Sequence, residues 1–351
     1  MGVFTTINDG SAHFQNITYS GDGSSNRSVT YTGNSNMRPD LCVGRKTNAS
    51  GDSWYWVDST RGASARIMSD NNLAQDSNGL VSFNSDGFSA NGGVNGNTNG
   101  QSYINYGWKA NGATEVQNTD GTITATTQQV NSTAKFSLTR YTGNSTSGST
   151  VGHGLGVAPD TIFIKKTSTA DDWAIWHKNL GGATLRLNSN AGENSSKWGA
   201  FFNSTTPGSS VVTLGADNQV NGSGTYIMYC WAEVQGFSKF GTYSGNGDSN
   251  GPMVYTGFKP SMVISKVANS GDTGNWRINN QASDGGVNVI NVSNNLNENI
   301  ADFDQNSFDF LSNGFKVRDS AGGNTNNKTF CYWAWGTRPC VSSSGTPETT
   351  F

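Results

Sequence analysis

The chain has 351 residues, a length for two or three domains, and a net charge of −3 with a pI near 5.6 and no basic patch, which argues against nucleic acid as a partner. Charged residues are only 13% of the chain, about half the usual share, but 10 Trp, 11 Tyr and 17 Phe exclude a disordered polar polymer, since they carry enough apolar surface for small cores. No apolar run approaches the ~20 residues of a membrane span, so no membrane insertion is expected, and Met1 to Phe14 has neither the basic segment nor the apolar core of a standard secretory signal.

In chain order, residues 1–18 read as a short N-terminal arm. The turn Tyr19-Ser20-Gly21-Asp22-Gly23 opens a first module over residues 19–112, and a second turn of the same kind follows at Tyr31-Thr32-Gly33-Asn34-Ser35. Next comes Pro39 with the apolar run Leu41-Cys42-Val43. Proline fixes φ and lacks a donor, which suits the start of a strand. A tryptophan strand, Trp54-Tyr55-Trp56-Val57, a turn at Ser85-Asp86-Gly87-Phe88 and a closing strand from Tyr103 to Trp108 complete the module. Residues 113–134, rich in Thr, Gln and Asn, read as a linker or one extra strand.

A second module over residues 135–235 repeats the order: a turn from Tyr141, an apolar run after Pro159, Trp173-Ala174-Ile175-Trp176, and a closing strand from Tyr226 to Trp231. A third, over residues 236–336, has its turn at Tyr243-Ser244-Gly245-Asn246-Gly247, its run after Pro260, Trp276-Arg277-Ile278, and a closing strand from Phe330 to Trp335. The joint between the second and third is so short that the two are expected to pack rigidly. Residues 337–351 form a Ser/Thr-rich tail, expected to be exposed.

The closing strands share the pattern aromatic-x-x-aromatic-x-Trp: Tyr103, Tyr106, Trp108; Tyr226, Tyr229, Trp231; Phe330, Trp333, Trp335. Each lies a near-constant distance beyond its turn, 84, 85 and 87 residues counted from Tyr19, Tyr141 and Tyr243. One unit has therefore been used three times. With short β-branched runs between Gly/Asn turns, the fold class is all-β, three tandem related β-sandwich modules of jelly-roll type. Strand alternation puts Ile104, Tyr106 and Trp108 on one face. Tyr106, Trp108, Tyr229, Trp231, Trp333 and Trp335 are assigned to the repeat cores.

The sequence offers little for catalysis. Cys42, Cys230, Cys331 and Cys340 are scattered without a CxxC pair and read as reduced thiols, with a Cys331–Cys340 bridge as the alternative. His13, His153 and His177 stand far apart, and no nucleophile elbow, metalloprotease or phosphate-loop motif occurs. No metal site, cofactor or enzymatic activity is expected. A polysaccharide-degrading enzyme would instead require two carboxylates converging in a groove at about 5–10 Å. The runs Asn246 to Gly251 and Asp76 to Gly79 offer oxygen ligands for a loop-bound calcium, and Asx-turn chemistry accounts for the same residues without one. Trp56, His177 and Trp198, with the Asn-rich stretches Asn91–Asn99 and Asn288–Asn299, are the candidates for glycan contact from variable loops.

Two segments carry a resemblance. Val151-Gly152-His153-Gly154-Leu155-Gly156-Val157-Ala158-Pro159 with Trp173–Trp176, and Gly236-Phe237-Ser238-Lys239-Phe240-Gly241-Thr242-Tyr243-Ser244-Gly245-Asn246-Gly247, resemble a family of tailed-phage virion proteins, tail fibre or spike components of phages of marine and aquatic bacteria, often found near concanavalin/laminin-G-like sandwich modules. The likeness is clearest over residues 135–336 and looser in the first module. It implies a virion protein made in the bacterial cytoplasm, with other virion proteins as partners, and it transfers no catalytic residues. A homo-oligomer is expected, a trimer if fibre-like, with host-surface glycan held through loops and strengthened by multivalency. The alternative is a non-adhesive structural or decoration protein of capsid or tail.

Overall fold

The structure is a computed structural model that describes residues 4–92, 96–112, 114–342 and 344–346. The tip of the Asn91–Asn99 stretch and the end of the tail lie outside the described residues. The chain is nearly all β, in antiparallel sheets.

Each repeat contributes a sheet with the same four strands side by side. In repeat one the order is Phe14–Ser20, Ser102–Trp108, Leu41–Lys46, Tyr55–Asp58. Repeat two has Phe136–Thr142, Thr225–Trp231, Thr161–Lys166 and Ala174–His177. Repeat three has Ser238–Ser244, Thr329–Pro339, Phe258–Val267 and Arg277–Asn280. The registers agree residue for residue. Tyr19 pairs with Tyr103, Tyr141 with Tyr226 and Tyr243 with Phe330. Leu41, Thr161 and Met262 face Trp108, Trp231 and Trp335.

Both faces of every sheet are buried. The outer faces carry separate small cores under different covers. A three-stranded sheet built from Arg27–Thr30, Gly87–Ala90 and Ser82–Asn84 covers repeat one. A two-stranded sheet and the helices Ser196–Phe202 and Asn218–Asn221 cover repeat two. In repeat three the sheet continues to eight strands and curls back over itself, ending on Met253–Tyr255.

The inner faces merge into one core that draws on all three repeats. Alternation points Trp108, Trp231 and Trp335 inward, where they meet as a triangle with ring centroids 6.2, 5.4 and 5.9 Å apart and every pair near edge-to-face. That geometry suits the aromatic quadrupole. Behind this triangle come Tyr106, Tyr229 and Trp333, then Ile104, Ile227 and Cys331, all buried. The six residues assigned to repeat cores thus belong to a single shared core, so the three stretches are not free-standing sandwiches.

Three boundaries differ from the sequence reading. Phe14–Ser20, placed in the arm and the first turn, is the opening strand of repeat one, with Phe14 fully buried. The segment read as a linker or one strand forms two, Val116–Asn118 and Ala125–Asn131, which extend the sheet of repeat two. The last strand runs through Thr337 and Arg338 to Pro339, into the expected tail. At the tryptophan end of the body, Ile7 enters the shared core and Gly10 sits so near Gly336 that a Cβ would lie 2.5 Å from its carbonyl oxygen.

Candidate functional site

The repeats meet at three seams that close a ring. The indole N–H of Trp54 donates to the Asn295 carbonyl (2.8 Å), that of Trp173 to Met68 (2.7 Å) and that of Trp276 to Arg186 (2.9 Å). Repeat one therefore leans on three, two on one, and three on two. Three buried cations follow the same cycle. Arg45 donates to Asn294 Oδ1 (3.0 Å), Lys165 to Asn72 O (3.4 Å) and Lys266 to Asn190 O (2.7 Å). Burial lowers the Lys165 ammonium to about 8 and that of Lys266 to about 7.

The end of the body opposite the tryptophan triangle carries the three turns. Each is fixed by a buried asparagine: Asn97, which the sequence reading placed in an exposed glycan-contact stretch, and Asn221 and Asn324, which it did not name. Asn97, Asn221 and Asn324 accept from the backbone N–H of Asp22, Asn144 and Asn246 (3.0, 2.9 and 3.0 Å). Their amides donate to the carbonyls of Ser24, Thr146 and Asp248 (2.8, 2.9 and 2.8 Å). The turn tyrosines Tyr19, Tyr141 and Tyr243 donate to the carbonyl just before each asparagine, those of Gly96, Val220 and Gly323. The signal was available as an asparagine five or six residues before each closing strand's first aromatic.

At this same end the seam between repeats two and three opens into a cleft of about 380 Å³. Its floor is backbone: Gly192 N–H donates to Asp272 O (2.7 Å) and Glu193 N–H to Ala268 O (3.3 Å). Most of its charges are already paired. Lys197 holds Asp217 (2.8 Å), Lys328 holds Asp272 (2.8 Å), and Arg186 lies 3.4 Å from Asp172. Glu193 stands apart from these ion pairs, and burial raises its carboxyl pKa. Hydroxyls and amides, including Thr184, Asn194 and Ser196, line the rest. Thr184 Oγ1 donates to Asn194 O (3.3 Å) and Ser196 Oγ to Asn194 Oδ1 (2.6 Å).

The three glycan candidates separate. Trp56 lies in a strand of the shared core at 3% exposure, against Trp173 (5.1 Å) and Tyr229 (5.8 Å). His177 is fully buried at the second seam, edge-on to Trp333 (4.9 Å), and burial with Lys178 alongside pushes its imidazole down to about 3, so it is neutral. Neither can stack on a sugar. Both were named for glycan contact because their strands are apolar on both faces and show no polar alternation to reveal burial. Trp198 alone is half-exposed, on the helix Ser196–Phe202 beside the cleft residues Ser196 and Lys197, with its ring against Trp176 and Phe202.

The oxygen-rich turns are internally bonded. Asn246 Oδ1 accepts from Asp248 N–H (3.1 Å), Asp248 Oδ1 from Asn250 N–H (2.7 Å), and Asp76 is paired with Arg66. Among the described residues no group of three or more His, Cys, Asp or Glu is placed to hold a metal, and no helix is long and apolar enough to cross a membrane. All four cysteines are free thiols.

These features define an all-β body of three related stretches closed on one core, with a polar cleft at one seam. The chain belongs to the family described as Domain of unknown function (DUF7483), whose model matches residues 9–339, from just before the first strand to the end of the last. No curated protein and no solved structure matches the chain.

Proposed function

We propose that this chain is a bacteriophage virion surface protein that holds host-surface glycan at the end of the body carrying the turns. The observation that carries the reading is the open cleft between repeats two and three: polar, with most of its charges internally paired, and flanked by the half-exposed Trp198. Sugars are recognised by hydroxyl and amide hydrogen bonds with an aromatic face alongside, and those elements adjoin here. Trp56 and His177 have no part in it. Linked copies, as in a trimer attached to other virion proteins, would raise avidity by roughly 10²–10⁴ over a single site. The role is one of binding rather than catalysis.

The test is saturable binding of the purified protein to host cells, with competition against phage adsorption. Binding that blocks adsorption and is lost in Trp198→Ala and Asn194→Ala supports the cleft as the contact. A folded sample that neither binds nor competes removes the adhesive role. In that case the second reading takes its place: a decoration protein of capsid or tail. The single rigid core and the N-terminal segment packed across the tryptophan end favour that reading.

A further inference from the structure

In repeat one, Lys46 at the end of the proline strand forms a direct ion pair with Asp52 (2.7 Å). The equivalent lysine of repeat two, Lys166, is buried, and an amide stands between it and the Asp171 carboxylate. Its Nζ lies 2.7 Å from Asn218 Oδ1, while Asn218 Nδ2 donates to Asp171 Oδ2, also at 2.7 Å. Two glycines make room for this encounter. A Cβ at Gly222 would sit 2.1 Å from Asn218 Oδ1, and one at Gly224 would sit 2.7 Å from Lys166 Cε. The backbone around the asparagine is held as well. Asp217 caps the helix Asn218–Asn221, and Tyr226 donates its hydroxyl to Asn218 O (2.6 Å) while its ring lies 5.9 Å from the Lys166 amine.

We infer that Lys166 and Asn218 form an intramolecular isopeptide bond, with Asp171 holding the departing amide nitrogen. The free amine of Lys166 attacks Cγ of Asn218. The Nζ–Cγ bond forms and the Cγ–Nδ2 bond breaks. The proton given up by Nζ moves onto Nδ2, which Asp171 holds through its hydrogen bond, and the nitrogen leaves as ammonia. No oxidant or reductant takes part. The bond ties the sheet of repeat two to its outer layer, between a strand and a helix far apart in sequence. A cross-link over so long a loop restricts the unfolded chain strongly. It also removes a buried charge that has no ion-pair partner among the described residues.

Intact-mass measurement of the purified full chain tests this. The expected result is a mass below that of the sequence by one ammonia, with a branched peptide joining Lys166 to Asn218 after digestion. Lys166→Arg and Asn218→Ala should return the full sequence mass. Asp171→Asn should do the same or slow the loss, with circular dichroism confirming that the variant is folded. A wild-type chain that is folded and still has its full sequence mass after prolonged alkaline incubation overturns the proposal.

Discussion

The seam between repeats one and two and the seam between two and three use equivalent positions and opposite chemistry. At the first, Asp58 is fully buried, paired with Arg61 (2.6 Å) and accepting from the Tyr229 hydroxyl of the neighbouring repeat (2.8 Å). At the second, the same strand position holds neutral His177, and the neighbour offers the Trp333 ring. The third seam solves the problem again, with Asn280 donating to the Tyr106 hydroxyl (2.9 Å). A ring of like units has several wrong ways to close, and a distinct polar pair at each seam penalises them. Buried polar groups used to fix register are the best-attested version of this idea.

The comparison breaks most visibly at the ionic seam. Arg61→Met leaves the Asp58 charge buried and unpaired, so a loss of about 3–5 kcal/mol is expected in chemical denaturation. Adding Asp58→Leu should recover a large part of it, because an apolar pair needs no partner. Trp231→Ala, which opens the triangle shared by all the seams, should cost a comparable 3–5 kcal/mol or so by cavity formation. Asn221→Ala strips one turn of its buried acceptor, with an expected loss of about 1–3 kcal/mol confined to repeat two and faster amide exchange at Asn144.

Acid sharpens the contrast. The folded imidazole of His177 titrates near 3, below its ordinary 6.5. Between those values the unfolded chain binds the extra proton, so stability falls as pH drops from 6.5 toward 3. His177→Asn, which copies the third seam, should flatten that slope at an expected cost of about 1 kcal/mol at neutral pH. Lys266 acts at the other end of the scale. Its folded value near 7 lies below its ordinary 10.5, so stability should rise between pH 7 and 10.5, and Lys266→Met should remove the rise.

The sequence carried the repeat, because an aromatic triplet at near-constant spacing survives whatever the tertiary contacts are. Trp108, Trp231 and Trp335 could be assigned to a core on that basis alone. That the core is shared could not be read, since alternation states which face is apolar but not which repeat covers it. Phe14 was lost to the arm because its strand precedes the turn that marks the repeat. Of the cleft's surroundings, Trp198 was named, and none of its lining residues was. Its walls are mostly Ser, Thr, Asn and Gly, abundant throughout this chain, brought together from two segments distant in sequence.

The tryptophan triangle has one more consequence. Three separate chains meeting at such a triangle would assemble with a concentration dependence and come apart on dilution. Here all three rings hang on one backbone, so the threefold arrangement forms at first order. A single molecule, however dilute, arrives with its three turns already set around a common axis.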